Sequence, residues 1–302
     1  MIFEGIYTPV ITPFSTDLLI DFDAFEIHIK YLLDSGVNGL MIGGTTGEYY
    51  VESLEERVEL LKIARQVCGD NLQIIFGTGS INPVDSIELA KRGVECGADV
   101  LLVATPPYSL PTQYELAQHA LSISEAAAGT PVMLYNYPDR MGVNMEAEFF
   151  DLVAQNTNIC SIKESSGDIN RMHMLMNDYP NIQVACGMDD QALEFFAWGA
   201  KSWVCAGSNF LPKEHQALYQ ACVIENNFEK GRRIMKAMMP LMSVLEQGGK
   251  FIQSVKHGVT IDGRFAGEMR KPMLALSDDE KRVMEDVVAE LKVNVAAIIA
   301  EA

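Results

Sequence analysis

Eight short runs of apolar and β-branched residues recur along the chain, and the stretches between them carry helical periodicity; no other feature restricts the fold as much. The runs cover residues 5–11, 39–42, 73–76, 100–103, 132–135, 159–163, 182–186 and 202–205. Most are apolar throughout, as strands covered on both faces must be, so a parallel sheet lined by helices is expected and an antiparallel sandwich is not. Helices are expected at residues 22–35, 54–67 and 83–96, among others. Ser53 and Glu56 are spaced as a capping box, and Gly36, Gly69 and Gly97 are placed to end these helices. The segments SGVNGLMI, CGADVLLV and WGAKSWVC each set a glycine after a helix and a strand directly behind it, which is a repeated unit. A doubly wound sheet would show the same local signs, and the count of eight selects an α/β fold of the closed (β/α)8 TIM-barrel type. From Ile224 onward the alternation stops and helical text follows, over 228–245, 251–258 and 278–301. The expected organisation is a barrel domain over residues 1–223 that holds the active site, with a C-terminal helical extension over 224–302 packed on it, since so long a stretch is no loop.

Apolar residues make up 48% of the 302, enough to fill one large core and to exclude a disordered chain. The formal net charge of -18 repels phosphate backbones and anionic lipid, which argues against nucleic acid or a membrane surface as partner. An anionic small molecule is not excluded, because one positive pocket disappears in a sum over the whole surface. Cys68, Cys96, Cys160, Cys186, Cys205 and Cys222 are widely spaced, form no C-x-x-C pair and read as free thiols in a reducing compartment. The first residues carry no basic leader, and no run approaches the ~20 apolar residues of a membrane span, so a cytoplasmic protein is expected.

In such a barrel, chemistry gathers at the C-terminal ends of strands and in the loops behind them. Lys163 closes the apolar run ICSIK. There it would point into the barrel mouth, where lost hydration disfavours the ammonium and frees an amine to attack a carbonyl. On position alone a plainer reading stands beside it, with Lys163 and Glu164 opening a solvated loop. GGTTGEYY at 43–50 follows the second strand, and its backbone N–H groups together with Thr45 and Thr46 can grip a carboxylate without a metal; a turn that merely needs positive φ would look the same. Tyr135 closes the strand VMLY and Arg140 lies five residues beyond. A phenol there can relay protons and a guanidinium can hold a carboxylate at two points, although an ordinary rim tyrosine and a surface arginine fit equally well. Tyr108, in TPPYSLP behind the fourth strand, is a similar case.

Other chemistries find no support. The five histidines lack the spacing of a zinc site, and no metal or other cofactor is expected. There is no G-x-S-x-G elbow and no Gly-Lys-Ser/Thr phosphate loop, and GTGSIN at 77–82 lacks the last glycine of the dinucleotide fingerprint. The stretches MHMLM and MKAMMPLM fit helix packing. Glu52, Glu55, Glu56 and Glu59 are expected to form one solvated helix face.

Taken together, GTTGE at 44–48, YNYPDRMG at 135–142 and IKESSGD at 162–168 resemble the dihydrodipicolinate synthase and N-acetylneuraminate lyase family in order and spacing over residues 1 to about 220, closest to the synthase branch. The resemblance implies a class I aldolase barrel in which Lys163 forms an imine with a 2-oxo acid such as pyruvate. It makes Thr45 and Thr46 the holders of that acid's carboxylate and Tyr135 a proton relay. Tyr108 is implied to reach across a tight dimer to join Thr46 and Tyr135. Gly187 and Val204 are implied to line the pocket through their backbones, and Arg140 to receive the carboxylate of a second substrate, as on the synthase side. A homotetramer built from dimers is implied as well.

Two positions depart from the synthase pattern, Pro107 where another tyrosine is usual and Tyr49 where a small residue is usual; Tyr49 and Tyr137 would narrow or repolarise the pocket, which bears on the substrate and not on the lysine. The chemistry follows from the groups present. A neutral Lys163 attacks the keto carbon, water leaves, and the protonated imine acts as an electron sink that yields an enamine. That enamine can add to an aldehyde, be released by the reverse cleavage, or expel a β-hydroxyl. A pyruvate-dependent synthase or lyase is therefore expected. A dehydratase or deaminase of a keto-deoxy sugar acid or a hydroxyproline-derived pyrroline is the alternative on the same imine. A non-catalytic barrel is a third reading, against which the intact lysine, threonines and tyrosines stand.

Overall fold

The computed structural model describes residues 3–301, so the first two residues of the amino-terminal stretch and the last residue of the chain lie outside it. Each apolar run becomes a strand whose ends differ from the expectation by at most two residues: β1 Gly5–Pro9, β2 Gly39–Ile42, β3 Gln73–Gly77, β4 Val100–Ala104, β5 Val132–Asn136, β6 Ile159–Glu164, β7 Gln183–Cys186 and β8 Ser202–Val204. All pairs are parallel. β1 pairs with β2 (Tyr7 with Gly39) and also with β8 (Gly5 with Ser202), so the sheet closes into an eight-stranded barrel. Edges are thereby abolished, and the expected TIM barrel is the observed one.

Helices α1 Phe22–Asp34, α2 Leu54–Cys68, α3 Pro83–Glu95 and α4 Gln113–Ala126 follow the first four strands. Short helices α5 Pro138–Met141 and α6 Ala147–Val153 follow β5, α7 Ile169–Asp178 follows β6, α8 Ala192–Ala197 follows β7 and α9 Pro212–Tyr219 follows β8. The Ser53 hydroxyl accepts from the Glu56 N–H while the Glu56 carboxylate accepts from the Ser53 N–H, which is the expected capping box at the start of α2. Period-two alternation sorts the strand residues into two apolar clusters. Ile6, Leu40, Ile74, Leu101, Leu134 and Ile162 face the helices, whereas Tyr7, Met41, Ile75, Leu102, Met133 and Ala185 fill the interior. Because Ile162 points out, its neighbours Ser161 and Lys163 point in.

The extension consists of α10 Phe228–Met242, a π-helical turn at Ser243–Gln247, α11 Phe251–Ile261 and α12 Asp278–Ala300. It reaches back to the loop behind β2. Lys256 of α11 lies 2.7 Å from the carboxylate of Glu48, both side chains being almost fully buried, and the Arg270 N–H donates to the other Glu48 oxygen at 3.2 Å. Glu48 needs such anchoring, because its φ of 64° is left-handed and costs free energy in a residue with a Cβ. The acidic cluster is not one solvated face. Glu55 and Glu59 are exposed, but Glu56 is paired with Arg270 and both carboxylate oxygens of Glu52 are buried without a hydrogen-bond partner among the described residues. The reason lies in the cap: Ser53 starts the helix, so Glu52 precedes it and turns inward.

Candidate active site

At the C-terminal mouth of the barrel lies a narrow inner pocket, and β6 supplies its amine. Lys163 is 7% exposed, and its Nζ stands 4.4 Å from the centre of the Tyr135 ring, the two residues being register partners on adjacent strands. Burial pulls the Lys163 pKa below its ordinary value, opposed chiefly by the negative charge of Asp189. No carboxylate pairs with this amine among the described residues. Glu164, its neighbour in sequence, faces the other way. It is buried, accepts from Asn136 at 3.0 Å and is paired with Arg171 at 3.2 Å, so the reading of a solvated Lys163–Glu164 loop fails.

The loop behind β2 forms the opposite wall. Thr45 and Thr46 sit in a single 3-10 turn, Thr45–Gly47, whose Gly47 has no room for a Cβ, which would meet the Val10 carbonyl at 2.9 Å. Both threonines are buried and both line the inner pocket. Thr45 Oγ1 is buried facing the Tyr135 phenol but without a well-formed hydrogen bond among the described residues, a state that a bound polar ligand improves. Burial raises the Tyr135 pKa to about 12, with Thr45 and Arg140 drawing it back down. The phenol is therefore protonated at neutral pH and able to donate.

β7 and β8 close the pocket from behind. Gly187 follows β7, and a Cβ there would lie 2.1 Å from the Ser165 hydroxyl, 2.8 Å from the Glu164 carbonyl and 2.8 Å from Lys163 Cγ, so only glycine lets the lysine take its position. Val204 of β8 lines the same pocket. Thus Lys163, Tyr135, Thr45, Thr46, Gly187 and Val204 come together. Arg140 stands one step outward, in a wider adjoining pocket that shares Thr45 and Phe251 with the inner one, and its guanidinium lies 5.4 Å from the centre of the Tyr137 ring. The two departures from the synthase pattern, Tyr49 and Pro107, wall the outer pocket, while Tyr137 lines the inner one. Tyr108 is not brought to the site: it is 90% exposed and holds a left-handed φ of 75°.

Two acidic residues of the inner pocket escaped the sequence reading. Asp189 follows β7 and is fixed by Trp203 Nε1 at 2.9 Å and the Ala206 N–H at 3.1 Å; its place behind a strand end was a signal available in the sequence. Glu246 comes from the π-helical turn of the extension, where no strand-end rule points. Among the described residues no group of three or more His, Cys, Asp and Glu is placed to hold a metal ion, and no helix is long and apolar enough to cross a membrane.

Comparison with known proteins bears on this geometry. A sequence model of the dihydrodipicolinate synthetase family matches residues 2–291. A 4-hydroxy-tetrahydrodipicolinate synthase of Methanocaldococcus jannaschii is 34% identical over 96% of this chain and 99% of its own length. One of Exiguobacterium sibiricum is 35% identical over 91% and 94% respectively. The solved 4-hydroxy-tetrahydrodipicolinate synthase of Methylacidiphilum fumariolicum SolV superposes with a TM-score of 0.93 at 28% identity, covering 99% of both chains.

Proposed function

The chain belongs to the dihydrodipicolinate synthetase family and is an aldolase-type lyase on a TIM barrel, and we propose that it acts as a 4-hydroxy-tetrahydrodipicolinate synthase-like enzyme that binds pyruvate as a Schiff base on Lys163. The observation that carries this reading is a buried, unpaired lysine amine at the barrel mouth, held with its pKa lowered beside a protonated phenol. The neutral amine attacks the keto carbon, Tyr135 passes protons as water leaves, and loss of a methyl proton from the imine gives the enamine. Thr45 and Thr46 take the pyruvate carboxylate, the Thr45 hydroxyl being buried without a well-formed hydrogen bond of its own. The backbones at Gly187 and Val204 flank the imine, and Arg140, in the outer pocket, takes the carboxylate of the aldehyde partner. Incubation with a panel of 2-oxo acids and borohydride, followed by peptide mass mapping, tests it: a mass increment on the Lys163 peptide is expected with pyruvate, and an unmodified Lys163 sinks it.

A second reading, a dehydratase or deaminase using the same imine, draws on Tyr49, Tyr137 and Pro107 in the pocket walls. Only the first joins or splits a carbon–carbon bond, so product analysis with pyruvate and aldehydes separates the two. A barrel that merely binds would form no borohydride-stable adduct.

The finer assignments belong to the same proposal. Tyr108 is the group offered to a neighbouring subunit, supported by its exposure and by the exposed Leu110 and Tyr114 near it, in a homotetramer built from dimers. A monomeric variant that folds but loses turnover is the expected result. The protein is placed in the cytoplasm, with neither nucleic acid nor membrane as partner. Residues 1–223 and 224–302 are taken as barrel and extension, and because Glu246 and Phe251 of the latter line the inner pocket, a chain cut at 223 is expected to lose the site.

A further inference from the structure

Asp189 and Glu246 are the two carboxyls that line the inner pocket among the described residues, and they differ in what holds them. Asp189 is fully engaged by the Trp203 indole and the Ala206 amide. Glu246 makes no hydrogen bond or ion pair within the described residues. It is presented by the π-helical turn Ser243–Gln247, which begins three residues after Pro240. A proline within a helix removes one rung of its hydrogen bonding, and π-turns of this kind are common at functional sites. The turn thus delivers a free carboxyl from outside the barrel into the space above the lysine.

We propose that Glu246 is the proton donor to the second substrate, delivering its proton to the carbonyl oxygen of the aldehyde as the enamine carbon adds to it. The assignment rests on the Schiff-base reading given above. In the step, the enamine carbon and the aldehyde carbon form a bond and the π pair of the aldehyde moves to its oxygen. The Glu246 proton passes to that oxygen, and the carbon–nitrogen double bond of the protonated imine re-forms. Hydrolysis of that imine by one water restores the amine and releases the proton that the Glu246 carboxylate recovers. In the cleavage direction the carboxylate takes the proton from the hydroxyl. Around it stand Lys163 from β6, Tyr135 from β5, Tyr137 and Arg140 from the turn behind β5, and Asp189 and Asp190 from the turn behind β7. Burial first, then repulsion from Asp189 and Asp190, raises the Glu246 pKa to about 8, against Lys163 and Arg140. A carboxyl so placed keeps its proton at neutral pH, as a general acid must.

The test uses the full chain with pyruvate and the 4-semialdehyde of aspartate, whose three and four carbons make up the seven carbons of the tetrahydrodipicolinate skeleton named for the relatives. Glu246→Gln keeps shape and hydrogen bonding but has no proton to transfer. Its kcat is expected to fall about 10²- to 10⁴-fold and the alkaline limb of the kcat profile near pH 8 to vanish, with borohydride trapping of pyruvate alone unchanged. Retained trapping also shows that the variant folds; should it not fold, Glu246→Asp is measured instead, expected to trap pyruvate, to turn over slowly and to keep the alkaline limb. Full kcat with only a raised KM for the aldehyde would make Glu246 a binding group and overturn the proposal. So would a folded variant that no longer traps pyruvate, or a parent protein that traps pyruvate but joins it to no aldehyde. Failure of the parent to trap pyruvate at all strikes instead at the Schiff-base reading itself.

Discussion

Replacing Gly187 by alanine tests how tightly the amine of Lys163 is positioned. The added Cβ would lie 2.8 Å from both the Glu164 carbonyl and Lys163 Cγ, and 2.1 Å from the Ser165 hydroxyl. Against ordinary carbon contact these distances are short by about 0.6 Å and about 1.3 Å. The hydroxyl can rotate away, although this breaks its 2.9 Å hydrogen bond to the Gly187 carbonyl. The carbonyl cannot, because it belongs to β6 and accepts the Gly187 N–H at 2.9 Å. The relief therefore falls on the lysine side chain, which must move by something on the order of 1 Å. Displacement of that size in a reacting group costs about 10²-fold in rate, and overpacking a filled site costs about 1–3 kcal/mol of stability. The assay is the initial rate of borohydride-trapped pyruvate adduct, read by intact mass, beside a urea melt. A variant that traps pyruvate at the parental rate would show that the close approach of β7 does not set the position of the amine.

Three further outcomes are expected. Lys163→Met should abolish trapping and turnover yet stabilise the fold at neutral pH, because the native state binds the Lys163 proton less readily than the unfolded chain does; by the same linkage the advantage shrinks as pH climbs toward 10.5, which urea melts at pH 7 and pH 10 will read. Glu52, with its pKa raised by burial from 4.5 to about 7, binds its proton more tightly when folded, so parental stability falls across that interval as pH rises; Glu52→Gln should remove the fall, leaving a difference of up to about 3 kcal/mol at pH 8 in denaturant melts. Lys256→Met leaves Glu48 buried without its cation, and a loss of about 3–5 kcal/mol in the same melts is expected, a change under about 1 kcal/mol contradicting the role given to the pair.

What could be read from the chain alone depended on periodicity. Lys163 was legible because it ends an apolar strand in which Ile162 must face the helices, and alternation then sends its neighbour inward. Thr45, Thr46, Tyr135 and Arg140 followed from the same strand-end rule, and all six inner-pocket candidates lie on a strand or in the loop behind one. Glu52 departs from the single helix face that its acidic neighbours suggest, because Ser53 caps the helix after it. Glu246 was not legible. It belongs to a helix whose period is broken by a π-turn, so amphipathic spacing assigns it no direction. Tyr108 poses a different limit, since it is exposed, holds a left-handed conformation and lines neither pocket at the barrel mouth, so strand position gave it no role.

The anchoring of Glu48 by Lys256 and Arg270 has a consequence for the birth of the enzyme. On the ribosome all eight strands emerge before α11 does, so a nascent chain can close its barrel while the cation that steadies the threonine turn is still inside the exit tunnel. The turn that carries Thr45 and Thr46 thus gains its last support only when translation is nearly finished.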